Sequence, residues 1–327
     1  MNPTEDQTSD NHPTKAERRE KRAARRRKRM VASIAVLPSL LTLSNGLLGF
    51  AAIAVATRHE IEFSTALSNQ VLAIWLVVGG MLCDMLDGRV ARMTHLTSDF
   101  GGQLDSMCDI ISFGVAPAII MLKTAVLTMH ETAINTDLHR TFERAIWCCA
   151  ATYVACAVVR LARFNVENEP DETAHMDFKG LPSPGAAAGL LSLILLFVHF
   201  RNKSDGGWMA NSLLKADWFD GQWLLVTAWV ALPIAGAIVG LLMVSQLPYA
   251  HLVNKYMRGK KPVGYLVKII LIIMAVVVMP LVTLTIATQA FVFTPPIKAI
   301  IAKIKGENLP EEDQADEASD EPDAALN

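Results

Sequence analysis

The chain has 327 residues, 52% of them hydrophobic and only 19% charged, a balance that excludes an ordinary soluble globular domain. Its formal net charge of −2 is a cancellation between two ends: residues 15–29 carry ten Lys and Arg against Glu17 and Glu20, and residues 306–327 carry nine carboxylates and no base. Neither end has enough apolar surface to offset the entropy of ordering, so a disordered basic tail over 1–33 and a disordered acidic tail over 297–327 are expected around a membrane domain at 34–296.

In chain order, the apolar runs are Leu37–Thr57, Val71–Cys83, Phe113–Leu127, Ala145–Val159, Gly185–Val198, Leu224–Val244 and Tyr265–Phe293. A spanning helix needs about 20 mostly apolar residues, and seven such runs predict an all-α, polytopic transmembrane bundle. The basic block before the first run predicts a cytoplasmic start. Alternation then puts the 58–70 loop outside, 93–102 inside, 128–142 outside, 165–183 inside and 201–222 outside. The 246–264 loop, with Lys255, Arg258, Lys260 and Lys261, falls inside, which agrees with six helices up to that point. The last run is interrupted by Pro280 and reads either as one long kinked span or as two short ones; Lys298, Lys303 and Lys305 favour an inside end. The five cysteines lie in or beside apolar runs without a CxxC pair and read as packing residues.

The chemistry concentrates in the segment from Asp84 to Asp109, DMLDGRVARMTHLTSDFGGQLDSMCD. Asp84 and Asp87 are three apart and share a helix face; Asp105 and Asp109 are four apart and share a face of the next helix. Both pairs are expected at the cytoplasmic edge of the membrane, across a short loop. Four acids at an apolar boundary are costly and repel one another. Two divalent cations would neutralise them, and hard oxygen ligands favour Mg²⁺ or Mn²⁺. Such a pair suits a phosphoryl displacement. Gly88 and Gly101 allow a base or pyrophosphate close to the backbone, and Arg92 offers a guanidinium fork to a phosphate. One alternative is that Arg89 and Arg92 merely pair with Asp84 and Asp87. Another is an ion transporter using intramembrane acids, although neither an internal repeat nor mid-membrane acids appear.

Asp84-x2-Asp87-Gly88-x2-Ala91-Arg92-x8-Gly101-x3-Asp105-x3-Asp109 resembles the signature of the CDP-alcohol phosphatidyltransferase family at every specified position. The resemblance implies a six-helix core, here with one or two further C-terminal helices, and a homodimer. It implies CDP-diacylglycerol or a similar CDP-alcohol as donor, bound beside Gly88, Ala91, Arg92 and Gly101. It also implies that Asp84, Asp87 and Asp105 bind the metals and that Asp109 is the general base near them. Membrane lipids are expected partners, and nucleic acid is not.

Three more stretches resemble the serine-transferring branch of that family: the opening Leu37-Pro38-Ser39-Leu40-Leu41-Thr42-Leu43-Ser44-Asn45, then Arg160-Leu161-Ala162-Arg163-Phe164-Asn165, then Phe178-Lys179-Gly180-Leu181-Pro182-Ser183-Pro184. Ser39 and Gly185 depart from that pattern, which usually has Asn and Ala there. The resemblance implies L-serine as acceptor, with inositol phosphate or glycerol phosphate as alternatives. A zwitterionic acceptor needs a cation for its carboxylate. Arg160 and Arg163, with Asn165 and Lys179, are the candidates, and the competing reading of the two arginines is as positive-inside anchors.

Overall fold

A computed structural model describes residues 38–94, 99–132, 136–167, 180–201, 221–247, 249 and 273–305. Among them are seven helices long and apolar enough to cross a membrane, and this is an integral membrane protein. The helices are α1 (Pro38–Ala56), α2 (Phe63–Thr94), α3 (Asp99–Asp109), α4 (Ala116–His130), α5 (Thr136–Glu167), α6 (Ser183–Arg201), α7 (Gly221–Val244) and α8 (Pro280–Lys305). A π-helical turn, Ile110–Val115, joins α3 to α4, so the third span is one rod from Asp99 to His130.

The helices outrun the apolar stretches that predict them. The 32 residues of α2 measure about 48 Å at 1.5 Å per residue, against a hydrocarbon core of about 30 Å. Asp84, Asp87 and the polar stretch to Thr94 therefore continue the helix, and the loop expected at 93–102 is helical at residues 93–94 and from Asp99 on. Helix α8 likewise runs to Lys305, past the expected domain end at 296. Residues 297–305, expected in the disordered acidic tail, are therefore the end of α8. The basic tail, the acidic tail from residue 306 on, the 201–222 loop beyond Arg201 up to residue 220 and the basic loop from 250 to 264 lie outside the described residues.

The core is apolar side chains of α2, α4, α6 and α7 around Ile74, Phe113, Ile120, Met121, Leu190 and Ile194, with Tyr153 of α5. Small residues let the helices close up, as is usual where lipid gives no hydrophobic drive between helices. A Cβ on Gly49 of α1 would come within 2.4 Å of Ser112 Oγ, and one on Gly240 of α7 within 3.0 Å of the Tyr153 Cα. Phe50, Trp147 and Leu241 are among the large apolar side chains left exposed, as expected for surfaces facing lipid or a second copy. All five cysteines are free.

Helix α8 attaches to α6 by polar contacts. Ser192 Oγ lies 2.8 Å from Thr288 Oγ1, Thr285 Oγ1 donates to the Ser192 carbonyl at 3.1 Å, and Gln289 Nε2 donates to the Gly189 carbonyl at 2.8 Å. Gly185 faces Phe291 and Gly189 faces Val292. Rising numbers on α6 meet falling numbers on α8, so the two run antiparallel. The last predicted run breaks at Met279, and Pro280 opens α8, where a missing N–H costs nothing. Thr283 Oγ1 reaches the Ala275 carbonyl at 3.0 Å. Eight residues of straight helix span about 12 Å, so the chain bends sharply at Pro280.

Gly180 and Leu181, just before α6, are anchored on the end of α7 and the residues after it. Gly180 N–H donates to the Leu247 carbonyl at 2.8 Å and Leu181 N–H to the Leu242 carbonyl at 3.2 Å. Gly180 has φ +91°, and a Cβ there would sit 2.5 Å from the Met243 carbonyl oxygen. Gly180→Ala should therefore destabilise the protein by about 1–3 kcal/mol, read as a fall in Tm in detergent; an unchanged Tm would show that this anchor is dispensable.

Candidate active site

One end of the bundle gathers the start of α1, the end of α2, the start of α3, the end of α5 and the start of α6. Helical spacing puts Asp84 and Asp87 on one face of α2 and Asp105 and Asp109 on one face of α3. Asp84, Asp105 and Asp109 each offer a carboxylate oxygen, and these oxygens all lie within 4.8 Å of one another. Asp109 and Asp87 are buried, at 8% and 5% exposure. Two full negative charges at that separation repel by about 3–4 kcal/mol at an effective dielectric of 20. The cluster therefore calls for positive charge.

The described side chains supply little of it. Asp105 Oδ1 is buried without a hydrogen-bond partner. Asp87 Oδ2 accepts from Thr42 Oγ1 at 2.8 Å, and Asp109 Oδ1 accepts from Asn45 Nδ2 at 3.0 Å. Both donors are neutral, and they sit three apart on one face of α1. An orphaned carboxylate oxygen beside two other carboxylates is what a hard divalent cation binds, so this acidic cluster fits a metal ion. Asp87 lies next to the three, held by α1.

Gly88 leaves space beside the acids: a Cβ there would meet nothing within 4 Å. Gly101 lies in the first turns of α3, and Gly102 beside it is equally open. Ala91 and Arg92 continue α2, but their side chains lie outside the described residues, as does all of Lys179. Asn165 is brought to the cluster, because Ser106 Oγ on α3 donates to its Oδ1 at 2.9 Å. Arg160 is partly committed: its Nε donates to the Leu181 carbonyl, and its charge is close enough to Asp109 to interact with it. Arg163 follows three residues later, half-buried on α5.

Four residues that hold this site had no role in the sequence reading. Thr42 and Asn45 belong to the α1 motif, and their three-residue spacing was the available signal. Ser106 and Ser112 gave none, since a lone serine in an apolar helix is ordinary. Ser112 Oγ donates to the Asn45 carbonyl at 2.8 Å.

Comparison with known proteins bears on this arrangement. The sequence matches the CDP-alcohol phosphatidyltransferase family over residues 35–230, from the start of α1 into α7. The chain belongs to this family. Among its curated relatives are proteins named CDP-diacylglycerol–serine O-phosphatidyltransferase. That of Mycobacterium leprae is 30% identical over 62% of this chain and 60% of the relative. That of Helicobacter pylori strain J99 is 35% identical over 51% and 59%. That of Bacillus subtilis is 31% identical over 50% and 76%. The chain thus spans about three-fifths of the length of the first two. Helix α8 lies beyond the family match.

If the cluster holds a metal, Asp105→Asn removes a charged ligand. Changing even a residue behind a ligand typically costs about 10–100-fold in affinity. Mn²⁺ binding to substrate-free protein should weaken at least tenfold, by calorimetry or electron paramagnetic resonance. Unchanged affinity would put the ion elsewhere.

Proposed function

We propose that this protein transfers the phosphatidyl group of CDP-diacylglycerol to L-serine, giving phosphatidylserine and CMP. The observation that carries the reading is the meeting of Asp84, Asp105 and Asp109 within 4.8 Å, with Asp87 on the adjoining turn, in a chain of this family. The names of the relatives favour serine over inositol phosphate or glycerol phosphate.

Asp84, Asp87, Asp105 and Asp109 would hold two divalent ions, Mg²⁺ or Mn²⁺. When bound, these supply charge stabilisation for the pyrophosphate and its leaving group. The chain's own residues do the rest. Asp109, oriented by Asn45, takes the proton from the serine hydroxyl. The serine oxygen bonds to the phosphorus that carries diacylglycerol, the bond from that phosphorus to the CMP oxygen breaks, and CMP departs with the electron pair. Gly88 and Gly101, with Ala91 and Arg92, admit the cytidine and pyrophosphate close to the helix backbones. Acyl chains lie against the apolar outer faces of the bundle.

The serine carboxylate is read by the cationic groups at the end of α5, with Lys179 in the following loop. Arg160, whose Nε donates to the Leu181 carbonyl, and Arg163, three residues on, are the candidates for that contact. Asn165, beside Ser106, has its amide N–H groups for the acceptor. The basic segment 15–29 supports a cytoplasmic start, hence an active site at the cytoplasmic face of the inner membrane, and α8, antiparallel to α6, ends on that same side. The family resemblance supports a homodimer, and the exposed apolar faces are suited to it.

Purified protein given CDP-diacylglycerol with Mn²⁺ should release CMP fastest with serine among serine, inositol phosphate and glycerol phosphate. Asp109→Asn should lower turnover by about 10²–10⁴-fold, the usual worth of a general base. Preference for another acceptor would replace serine and leave the transferase; acceptor-independent silence on CMP release would remove the transferase.

A further inference from the structure

Asp109 is the last residue of α3, and the π-helical turn Ile110–Val115 starts immediately after it. Such turns are rare and shift the helix register locally, so whatever holds this one sets where Asp109 stands relative to α4. The cause is in the sequence. In an α-helix the Phe113 carbonyl would accept from the N–H of residue 117, and residue 117 is proline, which has no N–H and whose ring crowds that carbonyl. The chain answers by widening: Ala116 N–H donates to the Ile111 carbonyl, five residues back.

The Phe113 carbonyl finds its donor on another helix. Tyr153 of α5 is fully buried, and its hydroxyl donates to that carbonyl at 3.0 Å. The approach is tight around it. A Cβ on Gly114 would meet Ala157 at 3.3 Å, and Gly240 of α7 lets α7 close on the Tyr153 backbone from behind. The other side of the turn is tied by Ser112 to the Asn45 carbonyl, and Asn45 in turn donates to Asp109. The turn is therefore held from α5 by one bond and from α1 by another, with Asp109 between.

We infer that Tyr153 is a positioning residue for Asp109: by satisfying the carbonyl that Pro117 leaves without a partner, it fixes the π-helical turn and so the place of the carboxylate. Tyr153 touches neither substrate nor metal in this scheme. The inference rests on the role given to Asp109 above, and the test separates the two.

The variant is Tyr153→Phe, which keeps the ring and its packing and removes only the hydroxyl. Mn²⁺ affinity of the substrate-free protein should weaken about tenfold or more, as for residues that orient a ligand. Turnover should fall by a similar factor, with KM for serine and CDP-diacylglycerol within about twofold of wild type. A lower Tm with Mn²⁺ affinity and turnover per folded molecule unchanged would overturn the inference, since Tyr153 would then only pack. Pro117→Ala gives a second reading: alanine restores an N–H for the Phe113 carbonyl, so the loss of Tm caused by Tyr153→Phe should shrink in that background. Fully additive losses would show that the two residues do not share the carbonyl, and would also overturn it. Asp109→Asn is measured alongside. If that variant binds Mn²⁺ as tightly as wild type, the role of Asp109 in the metal site fails, and the positioning claim fails with it for that separate reason.

Discussion

Mutual repulsion among carboxylates in an apolar bundle is the constraint on which this structure turns. Asp84, Asp105 and Asp109 bring oxygens within 4.8 Å of one another, and at an effective dielectric of 20 each full pair would oppose folding by about 3–4 kcal/mol. That is a large part of the total stability of a typical domain. Such an arrangement persists only if it is held rigidly and if its charge is offset, as a divalent cation would do. The surrounding contacts meet the first condition. Thr42 and Asn45 of α1 hold one carboxylate on each of the two acidic helices, and α1 reaches them because Gly46 and Gly49 let it lie against Cys108 and Ser112.

The second condition links fold to chemistry. A hard divalent cation offsets the repulsion and also stabilises a departing phosphate, so the charge that makes the site costly without an ion makes it useful with one. Helix length serves the same end. With α2, α5 and the Asp99–His130 rod each longer than the hydrocarbon core requires, the acids can sit where the helices leave the apolar layer. In the proposed transfer, a water-soluble head group would reach them there while the acyl chains remained in lipid. The open face at Gly88 leaves room on that side.

Much of this was legible in the sequence. The apolar runs located the spans, and the three- and four-residue spacings of the aspartates put each pair on one helix face before any packing was known. Helix ends were less legible: the loop expected at 93–102 is helical at residues 93–94 and again from Asp99, because a helix is not obliged to stop where the membrane does. The π-helical turn was hidden for a different reason. Pro117 signals a missing donor, but only the packing of α5 reveals that Tyr153 replaces it. Arg160 shows the same limit, since its spacing from Arg163 suggests a shared face while its bond to Leu181 depends on a segment 21 residues further on. Lys179 lies outside the described residues, so its expected contact rests on the resemblance alone.

The central claim is that the carboxylate cluster destabilises the protein until a divalent cation fills it. Thermal unfolding of substrate-free protein, with chelator and then with increasing Mn²⁺, compared with Asp84→Asn/Asp105→Asn/Asp109→Asn, tests this directly. In chelator the triple variant should be the more stable of the two. Mn²⁺ at a hundred times its Kd should stabilise the wild type by about 2.7 kcal/mol and leave the variant unmoved. A wild-type Tm indifferent to Mn²⁺, together with a variant less stable in chelator, would contradict the account.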